Sequence, residues 1–419
     1  MICKNLEMRD RVVCLSLSKA WKRTLESSHK LWTFLNTRPA RRAFGQKALR
    51  AYLRRSNYTL DTAWITMGPE SKGGFNDSRL SYLTRTCQQL QNLEISGPGT
   101  IGDSLVKALP LSKNLQTLVV HKNCEVPLDC VVSVLNSNRA TLREVSFLAV
   151  RANYRSLTMQ WPEPVFSHIK ILRLRALGSE GQKPRLNIDD LVEAFPNVEH
   201  VVLDEWSVSP ASHTNLKPWA QLKHLDVESI GLTNLPLLPH ALEHLNISYN
   251  VQLGSGGERD HTDLPLLKSF NCYSTNLDAQ SVAKIIKPSI EAGNLKVLRV
   301  GGGVPELPGH MEIEEEYPAS SILEEISLAN MNLSELRTLQ IINQYPNLKR
   351  IELSGSKITG VAVKHFVKMG VTYLKVNECA QIGADAIAYA RSMGVEVVHT
   401  FVNVSAARRS YVSRMQELY

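Results

Sequence analysis

An apolar pattern that recurs about every 25 residues constrains this chain of 419 residues more than any other feature. In each copy, a leucine or a similar residue is followed three and five positions later by two more, as in Leu242, Leu245 and Ile247. Twelve copies lie between Leu90 and Val376, and successive copies begin 20 to 29 residues apart. One residue separates the last two positions, so both side chains fall on the same face of a short strand.

A single copy cannot bury its apolar face alone, so successive copies must stack their strands into one parallel sheet. The spacing is typical of leucine-rich repeats. We therefore predict an α/β leucine-rich-repeat solenoid, a horseshoe whose parallel sheet lines the concave face. Amphipathic stretches such as Thr359 to Gly370 are predicted to form helices on the convex side. Less regular copies, near Leu60 and at Val395 and Val398, are predicted to close the two ends.

The positive charge of the chain is concentrated near its start. Residues 1–58 contain 14 Lys and Arg and 3 Asp and Glu, whereas the remainder contains 34 and 37. Within this part, Arg38 to Arg55 has seven basic residues and no acidic one. Such a cluster can attract nucleic acid or an acidic partner, and the simpler interpretation is a solvated face of a linker helix.

Several classes of protein have no support in the sequence. No apolar run approaches the roughly 18 residues of a membrane span. The seven cysteines form no CxxC pair, and Gly301 to Gly303 is followed by Pro305 rather than by the lysine of a phosphate loop. We therefore expect no metal, no cofactor, no membrane contact and no enzymatic activity, and a location in the nucleus and/or the cytoplasm.

Residues 1–58 lack the repeat and are predicted to form helices over Arg9 to Leu25, Ser28 to Phe34 and Arg41 to Arg55. The string RDRVVCLSLSKAWKRTLESSHKLW, from Arg9 to Trp32, resembles the second half of an F-box. The Leu-Pro signature and most of the first F-box helix would precede Ile2. The combination with leucine-rich repeats is similar to fungal proteins that carry TPR repeats, an F-box and leucine-rich repeats, of which the TPR part has no counterpart here.

This resemblance implies a substrate-recognition subunit of a Skp-cullin-F-box ubiquitin ligase, with the adaptor bound by the F-box and a protein substrate held on the repeats. It also implies a role in replication or chromatin maintenance. The adaptor-facing or core positions would be Leu6, Val12, Leu17, Lys19 and Trp21. The alternatives are a repeat scaffold without adaptor binding, or a chromatin or nucleic-acid binder that uses Arg38 to Arg55.

The predicted organisation has four parts. Residues 1–36 form the partial F-box, 37–58 a basic helical linker, 59–402 the repeat domain, and 403–419 a tail or cap.

The register of the repeats predicts which side chains project from the concave face. The substrate-binding candidates are Arg173, Arg175, His200, Asp204, His224, Asp226, His244, Tyr273, Arg299, Glu352, Tyr373 and Lys375. His200, His224 and His244 occupy the same repeat position, so they would stack as one column. A pH-sensitive or metal-binding column is one hypothesis, and a solvated surface or protein contact is the favoured one.

A nucleic-acid role of the basic segment predicts retention on DNA that falls steeply as salt is raised. Replacing Arg41, Arg42, Arg50, Arg54 and Arg55 by glutamine would then abolish the retention on a DNA column, because the phosphate contacts are lost. Unchanged retention would rule this role out.

Overall fold

The computed structural model describes residues 8–37, 45–68, 75–151, 158–159, 165–177, 183–208, 215–254, 263–302 and 317–400. The chain divides into two compact units, Met1–Ser209 and Pro210–Tyr419. Leu6, the basic residues of 38–44 and the predicted cap at 403–419 lie outside the described residues. No helix among the described residues is long and apolar enough to cross a membrane.

The first unit alternates helices with short parallel strands. Its elements are α1 (Met8–Leu17), α2 (Lys19–Ser27), β1 (Phe34–Asn36), α3 (Gln46–Arg55), β2 (Thr62–Thr66), α4 (Asp77–Thr86), β3 (Asn92–Ser96), β4 (Gly99–Thr100), α5 (Asp103–Ala108), β5 (Thr117–Val120), β6 (Cys124–Pro127), α6 (Leu128–Ser137), β7 (Glu144–Arg151), β8 (Thr158–Met159), β9 (Ile171–Leu177), β10 (Arg185–Leu186), α7 (Ile188–Ala194), β11 (His200–Asp204) and β12 (Ser207–Val208). Its main ladder runs β1-β2-β3-β5-β7-β9-β11, with every pair parallel. Shorter parallel pairings join β4 to β6 and β8 to β10 to β12.

The second unit also consists of short parallel strands, with helices between some of them. Its elements are β13 (His224–Asp226), β14 (His244–Asn246), β15 (Ser269–Asn271), α8 (Ala279–Glu291), β16 (Val297–Gly301), β17 (Glu325–Ala329), α9 (Glu335–Asn343), β18 (Arg350–Glu352), α10 (Gly360–Lys368), β19 (Tyr373–Lys375), α11 (Ala384–Ser392) and β20 (Glu396–Val398). Strands β13 to β20 pair in parallel in chain order. Each unit is thus a stack of leucine-rich repeats, as the sequence predicts.

The repeated apolar positions form the core of each stack. The twelve copies supply three residues each, 36 in all, and each is at most 4% exposed. The register aligns equivalent residues, so that Leu225 lies beside Leu245 and Leu245 beside Phe270. Burying one such side chain contributes about 2 kcal/mol. Because each leucine packs on its counterparts in the neighbouring repeats, the stack rather than the single repeat is the stable structure.

In the last predicted copy, the second apolar position, Val398, is wrong by one residue. Val397, rather than Val398, is the ladder partner of Leu374 and is buried. Val398 pairs with Lys375, whose side chain points away from the core. In this terminal repeat the first two apolar positions, Val395 and Val397, are two residues apart, whereas they are three residues apart in the other copies. Periodicity alone does not reveal this difference in spacing.

The N-terminal segment differs from the predicted helices at two places. The helix predicted over Arg9 to Leu25 is interrupted at Ser18, whose hydroxyl accepts a hydrogen bond from Trp21 N at 3.1 Å and so caps α2. The helix predicted over Ser28 to Phe34 is a single 3₁₀ turn followed by β1. Strand β1 pairs with β2, so the parallel ladder begins at Phe34, upstream of the predicted repeat boundary.

Two contacts of Trp32 explain why the chain forms a 3₁₀ turn and β1 here instead of the predicted helix. Its indole Nε1 donates to Leu25 O at 2.9 Å, and its ring meets the Tyr52 ring edge-on at a centroid distance of 5.5 Å. Trp32 is completely buried, as is Leu49 on the inner side of α3. The tryptophan therefore joins the helical start of the chain to the first repeat.

A left-handed residue follows most strands of the second unit. The residue two positions after the last apolar position has a positive φ of 56 to 72° at Ser229, Tyr249, Ser274, Gly302, Asn330, Gly355 and Glu378. L-residues seldom adopt this conformation outside turns. Its recurrence shows that each repeat leaves its strand through the same tight turn, which keeps successive strands in register.

Asn250 holds one of these turns together. It is buried, and its Oδ1 accepts hydrogen bonds from Ile230 N at 3.2 Å and Leu232 N at 2.9 Å. Its Nδ2 donates to Val227 O at 2.9 Å and to Ile247 O at 2.8 Å. One amide therefore satisfies backbone groups of two successive repeats, which water cannot reach. Cys379 makes a weaker version of this contact, because its thiol donates to Leu353 O at 3.2 Å.

Replacing Asn250 by alanine should lower the free energy of unfolding by about 3 kcal/mol, because buried backbone donors and acceptors lose their partner. Urea denaturation followed by circular dichroism measures this loss. Asn347→Ala is the matched control: Asn347 is exposed and donates one hydrogen bond, to Ser321 O at 2.7 Å. The control should cost less than about 1 kcal/mol, and equal losses in the two variants would contradict the bridging role of Asn250.

Candidate functional site

The side chains that alternate with the core residues of the strands point away from the core. We call this surface of each unit its strand face. The candidate residues predicted from the register lie on it, and none of them belongs to the core. The candidate residues of the first unit have different contacts from those of the second unit.

In the first unit, the basic candidates are already paired with acidic residues. Arg173 Nη1 lies 2.9 Å from Glu144 Oε1, and Arg175 Nε lies 3.1 Å from Asp204 Oδ2. His200 is opposite Ile171 in the ladder. The place of His200 in the predicted column of three histidines stays a prediction, because His200 belongs to the first unit and the other two histidines to the second.

In the second unit, His224 and His244 are direct ladder partners, and their ring centroids are 5.5 Å apart. Beside them, Asn246 Nδ2 donates to Asp226 Oδ1 at 3.0 Å and to Glu228 Oε2 at 3.3 Å. Burial raises the pKa of Asp226, and the hydrogen bonds that Asp226 accepts from Asn246 and from the backbone N–H of Glu228, together with the nearby His224, oppose the rise. The described residues contain no group of three or more His, Cys, Asp or Glu placed to hold a metal ion.

Tyr273 lies flat on the strand face of the second unit. Its hydroxyl accepts a hydrogen bond from Asn330 Nδ2 at 2.6 Å, and its ring meets Tyr249 edge-on at 5.5 Å. A Cβ on Gly302 would lie 2.7 Å from Cζ of the Tyr273 ring. Gly302 therefore makes room for this aromatic side chain, a role that its sequence context does not indicate.

Two consecutive glutamates at the start of β17, Glu324 and Glu325, each lie between two cations. Glu325 contacts Arg299 Nη2 at 2.5 Å and Arg350 Nε at 3.3 Å. The preceding residue, Glu324, contacts Lys296 Nζ at 3.3 Å and Lys349 Nζ at 3.0 Å, and these lysines lower its pKa. We call Lys296, Arg299, Lys349 and Arg350 the basic quartet.

The strand face next to the quartet adds an aromatic ring and one more ion pair. The guanidinium of Arg350 lies over the ring of Tyr373, 4.0 Å from its centroid. Lys375 Nζ lies 2.6 Å from Glu352 Oε1, and this contact raises the pKa of Lys375. The structure thus brings together four predicted candidates, Arg299, Glu352, Tyr373 and Lys375, on strands β16 to β19.

Five members of this surface are not among the predicted site residues: Lys296, Glu324, Glu325, Lys349 and Arg350. Each stands one or two residues before the middle apolar position of its repeat. Comparing these positions across neighbouring repeats would have revealed alternating charges. The surface offers ion pairs, tyrosines and arginines, which are typical of protein contacts.

The first two helices carry the predicted adaptor-facing residues. Val12, Val13, Leu17 and Trp21 are 43% to 63% exposed, so apolar surface on α1 and α2 faces solvent. Lys19 is also exposed. Behind them, Leu25 is buried and holds α2 on the first unit. We call the exposed apolar side of α1 and α2 the hairpin patch.

Two of the basic residues of α3 have contacts within the chain. The Arg50 guanidinium lies 5.6 Å from the centroid of the Tyr82 ring. The Arg55 guanidinium lies 5.6 Å from the centroid of Trp32, and its Nε lies 3.4 Å from Glu26 Oε1. These cation–π and ionic contacts tie part of the basic segment to the fold.

No protein-family model matches this sequence, and no curated protein does. Among solved structures, internalin inlF from Listeria monocytogenes has 11% identity and a TM-score of 0.35, with 79% of this chain and 91% of that chain covered. The structure of a TLR13–ssRNA13 complex has 11% identity and a TM-score of 0.31, with 82% and 63% covered. A Bacteroides fragilis protein has 12% identity and a TM-score of 0.33, with 56% and 67% covered. The repeat fold is therefore assigned from the ladder and core of this chain itself.

The contact between Tyr273 and Gly302 can be tested by comparing two glycines. Gly302 and Gly231 both have a positive φ, of 68° and 78°, but a Cβ on Gly231 would have nothing within 4 Å. We expect Gly231→Ala to cost about 1 kcal/mol, for the left-handed backbone alone. Gly302→Ala should cost about 2 kcal/mol more, because its methyl group overlaps the ring.

Thermal unfolding of both variants and of the double variant Gly302→Ala/Tyr273→Ala measures these costs. Removing the ring should relieve the added cost in the double variant. Equal losses at the two glycines would show that the ring of Tyr273 does not lie over Gly302.

Proposed function

We propose that this chain is a protein-binding repeat scaffold that holds a partner on the strand face and joins a Skp-type adaptor through the hairpin patch. In this role it is the substrate-recognition subunit of a Skp-cullin-F-box ubiquitin ligase, in the nucleus or the cytoplasm. The ligase partners supply the chemistry, and we expect no reaction on the chain itself.

The observation that carries the adaptor part is the hairpin patch. A soluble helical pair normally buries its large apolar side chains, and a contiguous exposed group of them marks an interaction site. Leu17 is 63% exposed and Trp21 is 43% exposed, although Leu25 and Trp32 a few residues later are buried. The exposed residues include three that the F-box resemblance assigns to adaptor binding or to the F-box core: Val12, Leu17 and Trp21.

The strand face of the second unit supports the partner-binding part. Arginine and tyrosine are enriched where binding energy concentrates in protein interfaces. Here Arg350 stacks on Tyr373, and Tyr273 is fixed by Asn330 and Gly302. Side chains that are already held in place lose less conformational entropy on binding. In the alternative function, a repeat scaffold that binds no adaptor, the partner is held on this same face and the hairpin patch has no role.

The adaptor contact predicts that Trp21→Ala weakens binding to a recombinant fungal Skp adaptor at least tenfold, because a tryptophan at the centre of an interface contributes strongly. Isothermal titration calorimetry on the full chain measures the affinity. The melting temperature should be unchanged, since Trp21 is not part of the core. Val361→Ala, which trims an apolar residue on α10 that is even more exposed than Trp21, is the control and should bind like the wild type.

Absence of adaptor binding by the wild type would withdraw the ligase role and leave the scaffold. Wild-type affinity of the Trp21→Ala variant would mean that any adaptor contact lies elsewhere.

A further inference from the structure

We infer that the basic quartet is the docking site for an acidic linear segment of the partner protein. This inference rests on the proposed function, since it names the chemistry of the partner that the strand face holds. Four observations lead to it: the charge balance of the quartet, its exposure, its spacing and the aromatic ring beside it.

The charge of the quartet is only half compensated. Four cations surround two carboxylates, Glu324 and Glu325, so the group carries a net charge of two positive units. Each glutamate is shared between two cations on different strands. Among the described residues, these are the acidic side chains within 4.0 Å of the four cations. An incoming carboxylate would therefore complete a charge balance that the chain leaves open.

The four cations are also within reach of a partner. Their side chains are 47% to 60% exposed, whereas Glu325 beneath them is 20% exposed. The glutamates thus position the cationic groups and leave their outer surfaces open. Because Glu325 orients both guanidinium groups before binding, Arg299 and Arg350 lose little freedom when a carboxylate arrives.

The spacing of the strands sets the spacing of the ligand's charges. The quartet spans β16, β17 and β18, and neighbouring strands are about 4.8 Å apart. The strands that carry the two rows of cations are therefore roughly 10 Å apart, and the shared glutamates draw the cationic groups closer together than that. An extended peptide advances about 3.3 Å per residue and places every second side chain on the same face, so carboxylates two residues apart, about 6.6 Å, match the two rows. Tyr373, beneath the Arg350 guanidinium, adds an aromatic surface to the same site.

A protein segment fits this site better than nucleic acid does. Tight phosphate binding requires many compensated charges, and a net charge of two supports about two phosphate contacts. The glutamates at the centre of the quartet would repel a continuous phosphate backbone. A peptide can instead place carboxylates over the cations and neutral residues over the glutamates.

The test uses the full chain and a fluorescein-labelled 12-residue peptide with glutamate at every second position, with binding measured by fluorescence anisotropy. The same peptide with glutamine in place of glutamate is the ligand control and should bind at least tenfold more weakly. Arg299→Gln/Arg350→Gln should weaken binding of the acidic peptide at least tenfold. Glu324→Gln/Glu325→Gln should strengthen it at least threefold, because the quartet then keeps its full charge.

Lys287→Gln is the matched protein control, since Lys287 is an exposed cation on α8 outside the quartet and the strand face, and it should change the affinity less than twofold. The opposite change of the two quartet variants separates charge recognition from unfolding, because loss of structure cannot raise affinity. Affinities that are the same in both variants, or weaker in both, would overturn the inference.

Two further outcomes would also overturn it. A single-stranded DNA 12-mer that binds as tightly as the acidic peptide would make the site a general polyanion surface. A tenfold rise in peptide affinity when Glu312, Glu314, Glu315 and Glu316 are replaced by glutamine would mean that the chain's own acidic run occupies the quartet.

The peptide test and the adaptor test fail independently. Trp21→Ala should bind the acidic peptide normally, since the hairpin patch belongs to the first unit and the quartet to the second. Loss of peptide binding with intact adaptor binding would therefore reject only the partner chemistry.

Discussion

The packing of three apolar side chains per repeat against the same three positions of the next repeat is the interaction on which the rest of this protein depends. No repeat has enough apolar surface to fold alone, and each described strand has only two to eight residues. Parallel pairing places Leu225 beside Leu245 and Leu245 beside Phe270, so a continuous core forms only when neighbours are present. The positions of the backbone turns, the helix caps and the surface charges all depend on this register.

The turns show how the register is maintained. A left-handed residue ends most strands of the second unit, and Asn250 joins the backbone of two such turns from within. Polar backbone groups inside a stack need partners, because water is excluded there. Glu335 also joins neighbouring repeats, on the helical side. Its Oε1 accepts hydrogen bonds from Thr359 N at 3.0 Å and Ala362 N at 3.2 Å and so caps α10. Neighbouring repeats are thus coupled by polar contacts as well as by the core.

The same register places charges for binding. A strand that buries every second residue leaves the others on one face, and the ladder brings residues some 25 positions apart in sequence to adjacent strands. Glu325 can therefore lie between Arg299 and Arg350 without any local motif. Function in such a scaffold depends on rows of side chains across strands, and these rows have no counterpart in a short stretch of sequence.

The sequence by itself determined the fold class, because an apolar spacing repeated twelve times admits one efficient packing. It also identified the side of the strands on which the candidates lie, since alternation along a strand is a local property. Only the tertiary structure decided which candidates meet. His224 lies beside His244, Gly302 makes room for the ring of Tyr273, and β1 joins the ladder next to Trp32, which is buried against Tyr52. These outcomes depend on contacts between residues distant in sequence, which periodicity does not encode.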